Sequence, residues 1–330
     1  MKERNVNYDA VKGTAIILVA MFHSIMKQTE CPQILQSISC FPAVLFILIS
    51  GFFSYGKKDT DAKWLVSRAK LLLVPYFAWV VIDIFAKSRF SVGEIIDIVV
   101  DALLHPEMHL WFLYILFVLC GVLYISNMFI KKLNIEKYDY FVYAGFIVFA
   151  NVMFWVFHIQ ILGMYLLSLH SVFFFIGYLS RKYNVYEKYN NIFRSKIFKA
   201  ILMILAFILV PMYRKMSTPI YEIYFNKVIS SFTLQTIFSI FMTYLVGILG
   251  SYATTEIVCV LPMFIRNKLA FLGTISVELY IIHFWFFFDF SNYWYIDIIL
   301  KTAATLTIST VLVLAVERGR LGELIFGRRK

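Results

Sequence analysis

Long apolar stretches, each about as long as a membrane-spanning helix, follow one another along almost the whole chain. A helix needs about 20 mostly apolar residues to cross the hydrocarbon core of a bilayer. The pattern predicts ten such helices, at 8–27, 39–55, 70–87, 109–130, 140–157, 161–180, 198–213, 229–251, 269–289 and 296–316. Several stretches are short or nearly touch, so nine or eleven spans are also compatible with the pattern. The predicted fold class is all-α, a polytopic transmembrane helical bundle of about ten spans.

Composition supports a membrane protein. Hydrophobic residues make up 61% of the chain and charged residues 15%, whereas soluble chains are about 45–50% apolar and about 25% charged. This excludes a soluble enzyme, a disordered chain and a disulfide scaffold as descriptions of the whole chain. The loops are too short for a separate domain, so we expect one integral-membrane domain over 1–330. Within the loop 88–108, the segment 92–97 predicts a short amphipathic helix along the membrane interface.

The basic residues indicate how the bundle is oriented. With ten spans and the N-terminus inside, most of the 31 Lys and Arg residues fall on the inner side, as the positive-inside rule requires. The outer side keeps Lys27, Lys87, Arg89, Arg214, Lys215, Lys227 and Lys301. We therefore expect a multi-pass protein of the inner or plasma membrane with both termini cytoplasmic. Cytoplasmic loops then account for the net charge of +11, and no nucleic-acid partner is predicted.

Ionisable residues within spans are costly and usually functional. Asp9 and Lys12 lie at the inner end of the first predicted span, and His23 follows roughly 16 Å further along that helix. In the ninth predicted span, Glu278 falls at mid-depth and His283 in the outer half. A titratable imidazole on an otherwise apolar helix suits proton transfer near neutral pH. A helix–helix hydrogen bond is the structural alternative for His23.

A third histidine is predicted at a similar depth. His109 begins the fourth span at the outer face, with Trp111 just beneath it. An interfacial aromatic belt explains this pair equally well. We predict no metal site, because nothing in the chain has metal-ligand spacing.

Two further features leave alternatives open. Arg68 and Lys70 precede an apolar run, and they either set topology or form an anion site with Lys12. Cys31 and Cys40 flank the first external turn and either form a disulfide in an oxidising compartment or stay as free thiols.

The first span, from Asp9 through Lys12 to His23, resembles the first helix of the acyltransferase-3 family of bacterial integral-membrane acyltransferases. The hallmark of that family is a basic residue, ten intervening residues and then a histidine, which is the spacing from Lys12 to His23. Further matching segments follow in family order: Phe41-Pro42, Ser50-Gly51-Phe52, Arg68-Ala69-Lys70, residues 109–114 and residues 273–283. The chain departs from the family where Lys12 replaces a frequent Arg, where Cys40 replaces a common His, and at Leu71, which is often basic.

The resemblance implies transfer of an acyl group, acetyl in the first instance, from cytoplasmic acyl-CoA to a sugar hydroxyl. The acceptor would be a cell-surface polysaccharide or its lipid-linked precursor, in the manner of stand-alone fucose and polysaccharide O-acetylases. Acetyl-CoA would be a co-substrate, with no permanently bound cofactor. His23 would act as general base or as transient acyl carrier, with Asp9 and Lys12 placing the helix end or the donor.

The remaining candidates are assigned to the two substrates. Lys12, Arg68 and Lys70 would bind the donor phosphates. The expected acceptor-binding residues, around a cavity between spans one, four and nine, are His283, Glu278, Trp111, His109 and Tyr280. The alternative function is a transporter or flippase of a polysaccharide or lipid-linked sugar. A transporter would be expected to have helix breaks at Gly and Pro along a transmembrane path. The chain has only 7 prolines and its span histidines lie at one depth, which favours a fixed site. The sequence leaves homo-oligomerisation open.

Overall fold

The computed structural model describes residues 5–26, 31–38, 40–56, 61–86, 92–106, 110–216, 234–316 and 319–327. Within these ranges the regular structure is helical and contains no strand. The helices are α1 (Val6–Met26), α2 (Gln33–Ile38), α3 (Pro42–Ser54), α4 (Ala62–Ala86), α5 (Val92–Leu104), α6 (Trp111–Leu133), α7 (Asp139–Trp155), α8 (Met164–Lys182), α9 (Val185–Lys188), α10 (Asn190–Arg194), α11 (Lys196–Met216), α12 (Leu234–Val260), α13 (Met263–Thr274), α14 (Ser276–Ile282), α15 (Trp294–Val316) and α16 (Arg320–Phe326). Short 3₁₀ helices lie at Glu136–Tyr138, Ile161–Gly163 and His283–Phe286.

The predicted transmembrane bundle is confirmed. In the part of the chain that the structure describes, nine helical segments are long and apolar enough to cross a membrane, or ten when one bent pair counts as a span. The third span begins at Ala62 rather than at residue 70. The short amphipathic segment predicted at 92–97 lies in α5, which exposes the apolar side chains of Ile96 and Val100.

The ninth span is broken, whereas the hydropathy pattern predicted a continuous helix over 269–289. The pair Met263–Thr274 and Ser276–Phe286 is bent by 61°. Between them Ile275 leaves the helical conformation, at φ −116° and ψ 17°. Hydropathy averages over a window and does not detect such a bend. The bend matters because His283 lies on the segment beyond it.

The chain divides into two compact units, which we describe separately. The first unit comprises residues 1–46 and 186–314. Within it, α1 and α13 cross at two glycines, Gly13 and Gly273. A Cβ atom on Gly13 would lie 1.8 Å from the carbonyl oxygen of Leu269, and one on Gly273 would lie 1.8 Å from that of Asp9. Only glycine permits this approach, so the contact fixes the register of α1 on α13. We call it the first glycine crossing.

The second unit comprises residues 47–185 and 315–330. Its closest helix contact, between α3 and α8, is also made by glycines. A Cβ atom on Gly51 would lie 2.0 Å from the Phe174 carbonyl oxygen, and one on Gly177 would lie 2.0 Å from that of Leu48. Small residues commonly let membrane helices approach this closely. We call this contact the second glycine crossing.

Several polar side chains in the second unit bond one another. The Tyr143 hydroxyl donates to Asn127 Oδ1 at 2.5 Å, and the Asn127 amide donates to the Tyr178 hydroxyl at 3.2 Å. Asp139 accepts hydrogen bonds from Lys182 and Tyr183. Burial, reinforced by the adjacent Asp139 carboxylate, raises the pKa of Tyr183 well above its ordinary value, so this phenol stays protonated as a donor.

Candidate active site

The polar residues of α1 lie along one stripe of the helix. Lys12 and His23 are eleven positions apart, which at about 100° per residue leaves them only about 20° out of line. Asp9, one turn before Lys12, is buried and forms an ion pair in which Lys12 Nζ lies 2.5 Å from Asp9 Oδ1. The pair lies at the first glycine crossing, because the Asp9 backbone contacts Gly273.

His23 and His283 lie side by side. Their ring centroids are 5.2 Å apart, with an interplanar angle of 45°. The rings of Phe284 and Phe287 pack against His23 at 5.6 and 6.2 Å. His283 is buried, whereas His23 is half-buried. The structure therefore brings together two imidazoles from helices far apart in sequence, within an aromatic enclosure that lowers the local dielectric.

The backbone selects the tautomer of His283. Nδ1 lies 2.7 Å from the carbonyl oxygen of Tyr280 and 3.1 Å from that of Leu279. A carbonyl oxygen only accepts, so Nδ1 carries the hydrogen and donates it. In the neutral ring, Nε2 is then the basic nitrogen. A hydrogen bond at one nitrogen commonly determines which chemistry the other performs.

Two predicted acceptor-binding residues precede His283 in the chain. Glu278 and Tyr280 are both buried in α14. The Tyr280 ring centroid lies 5.8 Å from that of His283. Tyr280 is thus packed inside the protein. Acceptor binding by these residues stays a prediction.

The second unit holds Trp111, which stacks on His170 with ring centroids 4.9 Å apart and an interplanar angle of 17°. His170 is buried. His109 lies outside the described residues. Trp111 therefore has an aromatic partner within its own unit, and its contact with a sugar stays a prediction.

The predicted donor-binding cations belong to different units. Lys12 lies on α1 of the first unit, whereas Arg68 and Lys70 lie on α4 of the second. The Arg68 guanidinium lies 5.5 Å from the centre of the Trp64 ring, and Lys70 is exposed. The carbonyl of Lys70 lies next to Gly327 after α16, where an added Cβ would be 2.5 Å from that oxygen. Lys12 is partly exposed and paired with Asp9, Arg68 is half-buried, and Lys70 is exposed. Their joint binding of the donor stays a prediction.

A charge cluster around a buried lysine in the first unit was not predicted from the sequence. Lys301 was expected among the outer basic residues, but it is 0% exposed within α15. Its Nζ lies 2.6 Å from Asp289 Oδ1 and 2.7 Å from Asp297 Oδ2. The spacing of Asp297 and Lys301, four residues apart in an otherwise apolar span, is the signal that could have revealed this cluster.

The first unit also contains a cavity of about 340 Å³ on another side of α1. Thr14 and Leu18 contribute to its wall from α1, and Ala253 and Thr254 from α12. The Thr14 and Thr254 hydroxyls donate to the carbonyls of Ala10 and Gly250 in their own helices. The cavity is thus apolar, and its lining does not include His23 or His283. It differs from the histidine-lined acceptor cavity that the sequence analysis expected.

Among the described residues, no group of three His, Cys, Asp or Glu side chains is arranged to hold a metal ion. Cys31 and Cys40 are free thiols. The Cys40 thiol donates to the carbonyl oxygen of Gln36 at 3.3 Å, and burial raises the pKa of Cys31, which keeps that thiol protonated near neutral pH.

Comparisons with known proteins identify one family. The family model described as an acyltransferase domain, of the acyltransferase-3 type, matches residues 5–317. Searches of curated proteins and of solved structures found no match. The matched range includes the α1 stripe, the two glycine crossings and the His23–His283 pair.

Proposed function

We propose, from the premise that this chain belongs to the acyltransferase-3 family and is a membrane acyltransferase, that it acylates a sugar hydroxyl with an acyl group from acyl-CoA. Acetyl is the proposed acyl group, and the acceptor is a cell-surface polysaccharide or its lipid-linked precursor. The family match favours an enzyme over the alternative transporter.

The observation that carries this proposal is the His23–His283 pair, with ring centroids 5.2 Å apart. A sugar hydroxyl is a poor nucleophile near neutral pH, and an imidazole is suited to remove its proton during attack. His23 is the proposed base because it is half-buried and therefore more accessible than His283. His283, with Nδ1 held by the Tyr280 carbonyl, is the proposed partner that orients His23 or the acceptor.

The reaction balances with His23 as the base. His23 takes the hydroxyl proton while the sugar oxygen bonds to the thioester carbonyl carbon. The carbon–sulfur bond then breaks, and the departing thiolate takes the proton back from the imidazolium. The products are the sugar ester and free CoA thiol, and His23 returns to its starting form.

The second route passes the acyl group through His23. The unprotonated ring nitrogen attacks the thioester carbonyl carbon, the carbon–sulfur bond breaks, and the thiolate takes the ring N–H proton and leaves as CoA thiol. The sugar hydroxyl then attacks the acyl-imidazole, the carbon–nitrogen bond breaks, and the hydroxyl proton returns to the ring. This route suits a donor and an acceptor that approach from opposite membrane faces. In the proposed topology both termini are cytoplasmic, and Lys12, Arg68 and Lys70 receive the phosphates of CoA on that side.

The test compares surface glycans from cells that carry the wild-type gene, no gene, or a variant gene. We expect an acyl increment only with an active protein, and we expect His23→Ala to lower transfer by about 10²–10⁴-fold, the range for a lost general base. His158→Asn is the matched control, because His158 is an exposed histidine in the second unit. Wild-type acylation by His23→Ala would exclude His23 from the mechanism.

The two routes are separated by mass spectrometry of purified full-length protein mixed with acetyl-CoA and no acceptor. An acetyl group on the peptide that contains His23 supports the acyl-carrier route. An unmodified peptide, together with His23-dependent transfer when acceptor is added, supports the general-base route.

A further inference from the structure

One face of α15 carries buried polar residues through an apolar span. Asp297, Lys301, Thr302 and Thr305, spaced by four, five and eight positions from the first, lie on a common face. Asp297, Lys301 and Thr305 are 0% exposed and Thr302 is 9% exposed. Buried polar groups in a membrane span are costly unless they are bonded. We call these four residues the α15 polar face.

Part of the α15 polar face bonds the segment that follows His283. The Thr305 hydroxyl donates to the Phe286 carbonyl at 2.8 Å, at the end of the 3₁₀ helix that begins with His283. Asp297 Oδ1 accepts the backbone N–H groups of Phe290 and Ser291 at 2.7 and 3.2 Å. These bonds hold both ends of the short segment from Phe286 to Ser291.

Lys301 also binds the segment from Phe286 to Ser291. It bonds Asp289 within the segment at 2.6 Å and Asp297 on its own helix at 2.7 Å. Phe287, which packs against both His23 and His283, lies within this segment. The position of the aromatic enclosure therefore depends on α15.

The same face bonds α1 next to His23. The Ser24 and Thr302 hydroxyl oxygens are 3.0 Å apart, and Ser24 also donates to the Ala20 carbonyl at 3.0 Å. A serine hydroxyl has one hydrogen, so Thr302 is the donor to Ser24. Ser24 is 0% exposed and directly follows His23. One helix thus contacts the two elements that carry the paired imidazoles.

We infer that the α15 polar face sets the spacing of His23 and His283, with Thr302 and Thr305 as positioning residues for the acyl-transfer reaction. This inference rests on the proposed function, because it gives the imidazole pair a role in transfer. Positioning within a fraction of an ångström determines the efficiency of a base. The alternative is that the α15 polar face only stabilises the folded bundle.

Thr305→Val is the sharpest variant. Valine matches the shape of threonine but removes the hydroxyl that bonds the Phe286 carbonyl, and no charge is left unpaired. Lys301→Met is less suitable, because it leaves the buried Asp297 carboxylate without its cation. Thr305→Ser keeps the hydroxyl and is the conservative variant. Thr254→Val is the matched control, since the buried Thr254 hydroxyl bonds only the carbonyl of Gly250 in its own helix.

The experiment measures kcat, KM and the pH dependence of kcat for the full-length protein in lipid nanodiscs, per folded enzyme. We expect Thr305→Val and Thr302→Val each to lower kcat by about tenfold, as for outer residues that orient a reacting group, with KM for acyl-CoA unchanged. The midpoint of the pH profile should move, because the two imidazoles no longer meet at the same spacing. Thr305→Ser should restore kcat, and Thr254→Val should match wild type.

A merely stabilising role gives a different result. It lowers the amount of folded enzyme and leaves kcat and the pH midpoint unchanged per folded molecule, which would overturn the inference. If Thr305→Val does not fold, Thr302→Val decides by the same criteria. The absence of an acyl increment with the wild-type protein would overturn the proposed function, and normal His23→Ala activity would exclude His23 from the mechanism. A strongly impaired His23→Ala with unaffected threonine variants would overturn only this inference.

Discussion

The two units use the same packing device for different purposes. Each has a glycine crossing at which a Cβ atom would lie within 2.0 Å of a facing carbonyl oxygen, through Gly13 and Gly273 in one and Gly51 and Gly177 in the other. Each also has a buried histidine against aromatic rings. The first crossing is flanked by the Asp9–Lys12 ion pair. One of its helices, α1, carries His23, and His283 lies beyond the break that follows the other.

The second unit has no such pairing of imidazoles among its described residues. Its histidine, His170, stacks face to face on Trp111. Its nearby polar residues, Asn127, Tyr143 and Tyr178, bond one another. The comparison teaches that a glycine crossing or a buried histidine alone does not mark a reactive site. The first unit differs in that two imidazoles, His23 and His283, are in contact. It also has an ion pair, Asp9–Lys12, on the same stripe of α1 as His23.

The largest expected effect comes from filling the crossings. Gly13→Ala and Gly51→Ala should each lower the free energy of unfolding by about 1–3 kcal/mol, because the new methyl group meets backbone that cannot move aside cheaply. Gly13→Ala should also lower kcat per folded molecule, because it shifts α1 relative to α13. Gly51→Ala should leave kcat unchanged. Thermal unfolding and single-turnover kinetics on the purified variants measure both quantities.

Gly145→Ala is the control for the glycine series. Nothing lies within 4 Å of a Cβ atom at Gly145, so alanine in this helix should stabilise the protein by about 0.4–1 kcal/mol. Equal loss of kcat in Gly13→Ala and Gly51→Ala would contradict the distinction between the two units.

The histidines provide the second test. His283→Ala should lower kcat by about 10–100-fold, the usual cost of removing a partner that orients a reacting group. His170→Phe keeps an aromatic ring against Trp111 and should retain wild-type kcat. Acyl transfer to a soluble acceptor glycan, measured with labelled acetyl-CoA, compares the two variants directly. A larger loss of kcat from His170→Phe than from His283→Ala would place the reaction in the second unit and contradict the proposed site.

The smallest expected effect concerns the cations. Lys12→Met should raise KM for acyl-CoA, and the difference from wild type should shrink with added salt, since the screening length falls to about 10 Å at 0.1 M. Like its control Lys182→Met, this variant leaves a buried carboxylate without its cation, so both are measured per folded molecule. Lys12→Arg keeps the charge and should bind the donor normally. Lys182→Met, which removes the buried ion pair of the second unit, should leave this KM unchanged. Initial rates at several salt concentrations test all three variants, and a salt-independent KM for Lys12→Met would leave Lys12 as a topology signal.

Much of the fold was predictable from the sequence because a bilayer imposes one dominant requirement. Apolar stretches of the right length predicted the spans, and the eleven-residue spacing of Lys12 and His23 predicted their separation along the first span. The break at Ile275 was not predictable from hydropathy, because an average over a window does not register a local change of backbone direction. The glycines were visible in the sequence, but their reciprocal contacts depend on tertiary packing.

Parts of the candidate site followed from the cost of charge in a membrane. That reasoning selected His23 and His283 separately, and the structure supplied their contact. The ten-span topology placed Lys301 on the outer side. Its partners, the exposed Asp289 and the buried Asp297, become evident only when the loop after His283 folds back on α15.

The backbone bond of His283 also has a bioenergetic consequence. A proton wire through a membrane protein needs each imidazole to accept a proton at one nitrogen and release it from the other. In His283 the Nδ1 hydrogen is committed to the Tyr280 carbonyl, 2.7 Å away, so protons enter and leave through Nε2 alone. His283 therefore does not pass protons from one ring nitrogen to the other. In the proposed reaction, the acceptor proton would not cross the membrane through His283, so the step would not discharge a membrane potential that is worth about 2.3 kcal/mol per charge at 100 mV.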